Sequence, residues 1–325
     1  MHCYETFQIP WESLHTPDRQ SLQEKYHLRE YHHGSGVFPT GVGTGQDAVC
    51  KRISEYSRKS LTRQSDRLNA FLGILRAFES FGTYNYWGTP ILPYAWGMPI
   101  FPYSITDWVR LGTLDLNIGF LHGLCWAASG ASKARETHLP SWSWTGWSEL
   151  VNYQHDSDAF VPTAEASFEL SDGSVLNWTH FRHRYAEVNN STKLSRVIHT
   201  RAPTLEIHSV LKNGLRYNCD VKMNDGWFLR WPFDTYSKEQ LDHGSYKALI
   251  LAIQGSKIFV MFVKRFEGRF ERVWGDWKQP QDLTLLRPDH EVADNLDNTG
   301  SGITKRYGPD WDKSLALTWK TLRVG

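Results

Sequence analysis

Few residues in this chain combine a type and a spacing that could do chemistry, and none of the groups is complete. Gly41-Val-Gly43-Thr-Gly45 stands ahead of a helical stretch, where backbone N–H groups could cradle a phosphate. No strand precedes it and neither the dinucleotide nor the P-loop spacing is met, so it reads as a flexible loop. His180-Phe-Arg-His183 offers two imidazoles at i,i+3, a metal-sharing spacing on a helix. No third ligand is indicated and the flanks do not read as a helix, so a solvated basic turn is expected. The acidic run Asp289, Glu291, Asp294, Asp297 imitates a calcium loop, but Asp294 stands where glycine is needed and Gly300 where glutamate is needed. Asp156 with Asp158, and Asp310 with Asp312, sit among short polar neighbours and read as loop solvation, not as a glycosidase pair. No G-x-S-x-G elbow occurs, and the 14 histidines are tied by spacing to no serine, cysteine or acid. Lys257, Lys264, Arg265, Arg269 and Arg272 lie among Phe262, Phe266, Phe270 and Trp274 as a single-strand-binding face would, but Glu267 and Glu271 interrupt them. The expectation is no catalytic, cofactor-binding or metal-binding residue, no cofactor, no strong nucleic-acid signature and no enzyme.

The elements that would position such groups change along the chain. Ser65-Asp66 is a helix start, followed by Leu68, Phe71, Leu72, Leu75 and Phe78 at spacings of three and four. Gly73 weakens that helix by about 1 kcal/mol relative to alanine, which suggests a close crossing with another element. Gln46 to Ser57 reads as a shorter helix, Trp108 to Leu111 as the end of another, and Leu116 to Ala128 as a third, with Ile118, Leu121, Cys125 and Trp126 on one side. Tyr84 to Pro102, with four prolines, reads as an extended, turn-rich connection. Beyond about residue 160 the period becomes two. Leu215, Tyr217, Cys219, Val221 and Met223 alternate with Arg216, Asn218, Asp220 and Lys222, which predicts a strand with one wet face. Asn213-Gly214, Asn224-Asp225-Gly226, Ser171-Asp172-Gly173-Ser174 and Gln254-Gly255-Ser256-Lys257 predict hairpin turns. The predicted class is α+β: a helical N-terminal half followed by a mainly antiparallel β half, divided as 1–150 and 151–325 near residue 155.

Bulk properties narrow the function. Lysine plus arginine number 36 against 35 acidic residues, so no global charge attracts nucleic acid, anionic membrane or acidic substrate. Cys3, Cys50, Cys125 and Cys219 are far apart and include no C-x-x-C pair, which argues against a disulfide framework or zinc cluster and for a reducing compartment. The start, Met-His-Cys-Tyr-Glu-Thr, has no basic-then-apolar signal, and the most apolar stretch, Ala248 to Val263, is broken at Gln254 to Lys257. An intracellular, cytoplasmic location without a transmembrane segment is expected. The 15 tryptophans are unusual, and the plainest role for them is a core and turns built on large rings.

Several segments resemble one family. Ser57 to Thr62 with Ser65 to Leu75 is similar to the helical segment after the effector domain of fungal heterokaryon-incompatibility proteins, and Trp96-Gly97-Met98-Pro99 to its Trp-Gly-x-Pro step. Leu124-Cys125-Trp126 followed by Leu139-Pro140-Ser141-Trp142-Ser143-Trp144-Thr145-Gly146-Trp147 resembles its tryptophan element, Gly268 to Val273 its penultimate strand, and Trp319 to Gly325 its terminus. The effector domain, with its Leu-Ser-Tyr-x-Trp-Gly motif and TIR-like, nucleotide-cleaving fold, has no match here. Leu92 to Gly97 imitates the motif after the helix instead of before it, and Glu12-Ser13 matches a step just downstream of that domain. The paired arginines before the tryptophan element are altered to Lys133 and Arg135.

The resemblance implies an accessory, regulatory or interaction region for self/non-self recognition and programmed cell death, with another incompatibility protein as partner. An enzyme whose site is assembled from distant residues, and an aromatic glycan- or nucleic-acid-binding module, stay open. In extended form the element would turn two of Trp142, Trp144 and Trp147 to one side, with Gly146 letting the chain bend. Such a strip locks helices onto strands, or stacks a ligand if exposed.

Overall fold

The computed structural model describes residues 45–59, 61, 66–80, 94–101, 116–129, 135–148, 150–153, 160–178, 180–181, 193–213, 216–222, 228–233, 246–279, 284–286 and 317–325. Three α-helices are described from end to end, and each follows its apolar spacing. Helix α1, Gly45–Ser57, has Asp47 in its first turn and buries Val49, Cys50, Ile53 and Tyr56. Helix α2, Arg67–Ser80, buries Phe71, Leu75 and Phe78. Gly73 on α2 faces open space, so it marks no crossing. The close crossing falls on α3, Leu116–Leu124, where a methyl group on Gly119 would overlap the Phe101 carbonyl.

The predicted third helix ends four residues early. Cys125 N–H turns back to the His122 carbonyl at 3.0 Å, and β3, Trp126–Ser129, pairs with β4, Leu150–Tyr153. Arg272 takes the Leu124 and Trp126 carbonyls, so the chain can leave the helix without orphaning them. Part of the predicted turn-rich connection also pairs, with β1, Tyr94–Ala95, antiparallel to β2, Met98–Pro99. Two ribbons and an early helix end in the first 150 residues leave the α+β class standing, but a helical N-terminal half is not supported: strands dominate the described residues. Trp108 to Leu111 lies outside them.

The remaining strands form one eleven-stranded sheet. They are β5 Phe160–Pro162, β6 Glu165–Leu170, β7 Val175–Leu176, β8 Leu194–Asn213, β9 Arg216–Lys222, β10 Phe228–Phe233, β11 Tyr246–Gln254, β12 Lys257–Phe266, β13 Arg269–Lys278, β14 Thr284–Leu286 and β15 Thr318–Val324. Predicted turns join β6 to β7 and β11 to β12, and β8 with β9 and β9 with β10 also pair antiparallel, the turns predicted between them lying outside the described residues. A further turn, Glu267-Gly268, has φ of 44° and 81° and joins β12 to β13. The twenty-residue β8 pairs with β6 and β15 along its first half, with β11 at Thr204 to Glu206, and with β9 beyond a register shift at Ile207 to Ser209. Because β15 also meets β13, the strands β8, β15, β13, β12 and β11 close into a ring.

Two apolar clusters lie on the two faces of β11 and β12. Leu249, Leu251, Phe259, Met261 and Val263 join the helices and the tryptophan element. Ala248, Ile250, Ile258, Val260 and Phe262 pack with Leu205, Cys219, Val221 and Trp231. The alternation predicted for β9 thus buries Cys219 and Val221, but Asp220 on the predicted wet face is buried as well, gripped by Arg230 at 2.8 and 2.9 Å.

Candidate functional site

The tryptophan element is the densest concentration of unusual residues, and its conformation is compact. Ser143 N–H bonds the Pro140 carbonyl, Gly146 N–H bonds the Ser143 carbonyl, and Trp144–Gly146 forms a single 3-10 turn capped by the Ser143 side chain. The extended strip expected from alternation is therefore replaced by a turn that sends the three rings in different directions. Gly146 is required by a close approach: a methyl there would lie 2.9 Å from the Pro140 carbonyl oxygen.

Each ring is buried, and each indole N–H reaches a backbone carbonyl. Trp142 packs edge-on to Phe120 and donates to Arg196 at 2.8 Å. Trp144 packs edge-on to Phe71 of α2, centroids 4.6 Å apart, and donates to Gly97 at 3.0 Å. Trp147 meets Trp126 and donates to Ser141 at 2.7 Å, while its own carbonyl accepts from buried Arg67. Trp142 and Trp144 are 0% exposed and Trp147 8%, so these rings present no open face for a base or sugar.

The element also grips the Trp96-Gly97 turn. Trp96 sits at φ 52°, a conformation non-glycine residues rarely hold, and Gly97 at 77°. The hydroxyls of Ser143 and Thr145 donate to the Trp96 carbonyl at 2.7 and 3.1 Å, and the Trp96 indole donates to Ser195 on β8. A methyl on Gly97 would lie 2.6 Å from Thr145 Cγ2. The strained turn is held from three sides.

A second node is Arg272 on β13, 1% exposed. Its guanidinium donates to the Leu124 carbonyl at 2.8 Å and to the Trp126 carbonyl, and stacks on the Trp126 ring 3.6 Å from the centroid. The C-terminus of α3 supplies negative dipole charge in place of a carboxylate. Burial pulls the guanidinium down to about 9, with Cys125 and Tyr153 pushing the other way, so it is a cation at neutral pH. Burial pushes the thiols of Cys50 and Cys125 and the Tyr153 phenol well up, which leaves all three neutral and the thiols inert as nucleophiles. Ser141 completes the node, accepting from Arg272 N–H at 2.8 Å and donating to the Gly325 carbonyl.

The motif segments separated by up to about 260 residues in sequence thus meet. Arg67 and Phe71, Trp96 and Gly97, Leu124 and Trp126, the tryptophan element, Arg272 and Gly325 contact one another directly or through one neighbour. Arg135 joins by pairing with Glu271.

The sequence candidates are not brought together. His180 is exposed on a helical turn capped by Asn177, whose side chain accepts from His180 N–H at 2.9 Å, where no helix was expected. His183, Gly41 to Gly43, Lys133, Asp156 and Asp158, the Asp289 to Gly300 run, and Asp310 and Asp312 lie outside the described residues. The basic-aromatic face does not assemble: Arg272 and Phe262 are buried on opposite sides of the sheet, and Phe266 stands exposed. Among the described residues no group of three or more His, Cys, Asp or Glu could hold a metal, and no helix is long and apolar enough to cross a membrane. Arg272 was missed as a core residue because its strand reads as charged; the one local signal is Gly275, where a methyl would lie 2.8 Å from Phe259 and crowd the guanidinium. The chain matches no family model, no curated protein and no solved structure.

Proposed function

We propose that this chain is an accessory recognition region of a heterokaryon-incompatibility-like protein, acting inside the cell through another incompatibility protein and without effector activity of its own. The observation that supports this reading is the convergence of the resembling segments on one packed node built from Trp144, Trp96, Arg272 and Ser141. A shared set of motifs that interlock this way is a scaffold signature, in which the Trp144 and Trp96 indoles, the Ser141 hydroxyl and two Arg272 nitrogens reach backbone carbonyls.

The test has two arms. Purified chain is incubated with a nicotinamide dinucleotide, and the chain is induced in a fungal host, alone and with an effector-bearing incompatibility protein, while viable cells are counted. The expected result is no dinucleotide loss and no growth arrest alone, with altered viability on co-expression. Dinucleotide loss proportional to chain concentration would show an enzyme, and unchanged viability on co-expression would remove the partner.

A further inference from the structure

The last strand, β15, is held by an arrangement the packing alone does not require. Both of its basic residues reach a carboxylate, one on the adjacent β8 and one on β6 beyond it, that a second strand's base already holds. Glu169 on β6 is 7% exposed and accepts from His199 Nε2 of β8 at 2.8 Å and from Arg323 at 2.7 and 3.0 Å. Glu206 on β8 accepts from Lys247 of β11 at 2.8 and 2.9 Å and from Lys320. Each carboxylate therefore ties three strands, and β15 is one of the three both times.

We propose that Glu169 and Glu206 form a two-point acid-sensitive latch: neutralising both carboxylates frees β15 from β6, β8 and β11 before the rest of the sheet opens. Loss of charge on Glu206 leaves Lys247 and Lys320 facing each other across strands, and loss of charge on Glu169 leaves the Arg323 guanidinium without its carboxylate, so protonation removes the attraction at both points. The inward contacts of β15, through buried Leu322 and Val324, set a floor that the latch adds to. On the face around Glu169 the other charged groups among the described residues are Glu165 and Arg201, paired with each other at 3.3 Å. Tyr246 and Lys264, in register and in contact with each other, lie on the opposite face of β11 from Lys247. Neither pair supplies a replacement anion.

Burial raises both carboxylates, but the hydrogen bonds from Arg323 and His199 on Glu169, and from Lys247 and Lys320 on Glu206, outweigh it and hold both below their ordinary value. The stability they contribute is in place above the ordinary carboxylate range of about 4.3 and is lost as pH falls through the lowered values. Lys320 and Arg323 are raised by the same bonds and stay charged throughout that fall.

Hydrogen exchange of residues 318–324 in the whole chain, referenced to the unstructured rate, tests this against β12 as internal control. Between pH 7 and about pH 3, opening of β15 is expected to rise about tenfold more than opening of β12. The Glu169→Gln, Glu206→Gln double variant is expected to show most of the acid-induced β15 opening already at pH 7 and a smaller further gain in acid than the unaltered chain. On the unaltered chain at pH 7, roughly 1 M salt is expected to raise β15 opening selectively by screening the exposed half of the latch, a readout independent of whether the variant folds. Loss of protection by β15 and β12 in step under acid, or a β15 indifferent to salt, would overturn the latch.

Discussion

At the scale of single residues, the fate of a side chain depends on whether its polar atoms can be met by backbone. The indoles of Trp126, Trp142, Trp144 and Trp147 all end on carbonyls, which is how large rings enter a core without an orphaned donor. That Trp142, Trp144 and Trp147 would be buried was legible, because small residues separate them. Arg272 was not, since only a partner more than a hundred residues away makes its inward position affordable. Arg272→Ala is expected to destabilise by about 3 kcal/mol or more, because two carbonyls and an aromatic face lose their partner together. Gly275→Ala is expected to cost about 1–3 kcal/mol through overpacking, and less in the Arg272→Ala background, leaving a coupling of about 0.5 kcal/mol or more in a urea double-mutant cycle. Strict additivity would show that Gly275 does not make room for the guanidinium.

Among the elements, those framed by local signals came through. Hairpin turns at Gly173 and Gly255 were readable because their residue types fix the turn, and α2 because apolar spacing fixes the face. The end of α3 was not readable, because Leu124 to Ala128 is apolar with no stop signal and the helix stops where Arg272 and β4 take over its carbonyls and backbone. Two of the helical glycines, Gly73 and Gly119, separate these cases. Gly73→Ala is expected to stabilise by up to about 1 kcal/mol, since the site is open and alanine is the better helix former. Gly119→Ala is expected to destabilise by about 3 kcal/mol or more, because the obstacle is the Phe101 backbone, which cannot rotate aside. Thermal midpoints moving in the same direction for both would contradict the placement of α3 against Phe101.

Across the whole molecule, the ordering of β8, β15, β13, β12 and β11 into a ring could not be read from local pattern, since it joins residues 194–213 to 318–324. Helix α3 meets the sheet directly, Phe120 on Phe168 and His122 on Phe160, whereas α2 is joined to it through one short segment: Trp144 touches α2 by its ring and the Trp96-Gly97 turn by its N–H, while Ser141 and Trp142 hold β13 and β8. The tryptophan element thus couples α2 to the sheet. Native-state hydrogen exchange on Trp144→Ala tests it most directly. The account predicts that α2 and β12 lose protection together, by the roughly 3–5 kcal/mol expected for truncating a fully buried large aromatic. Loss confined to residues 139–147, with α2 and β12 keeping their protection, would contradict it.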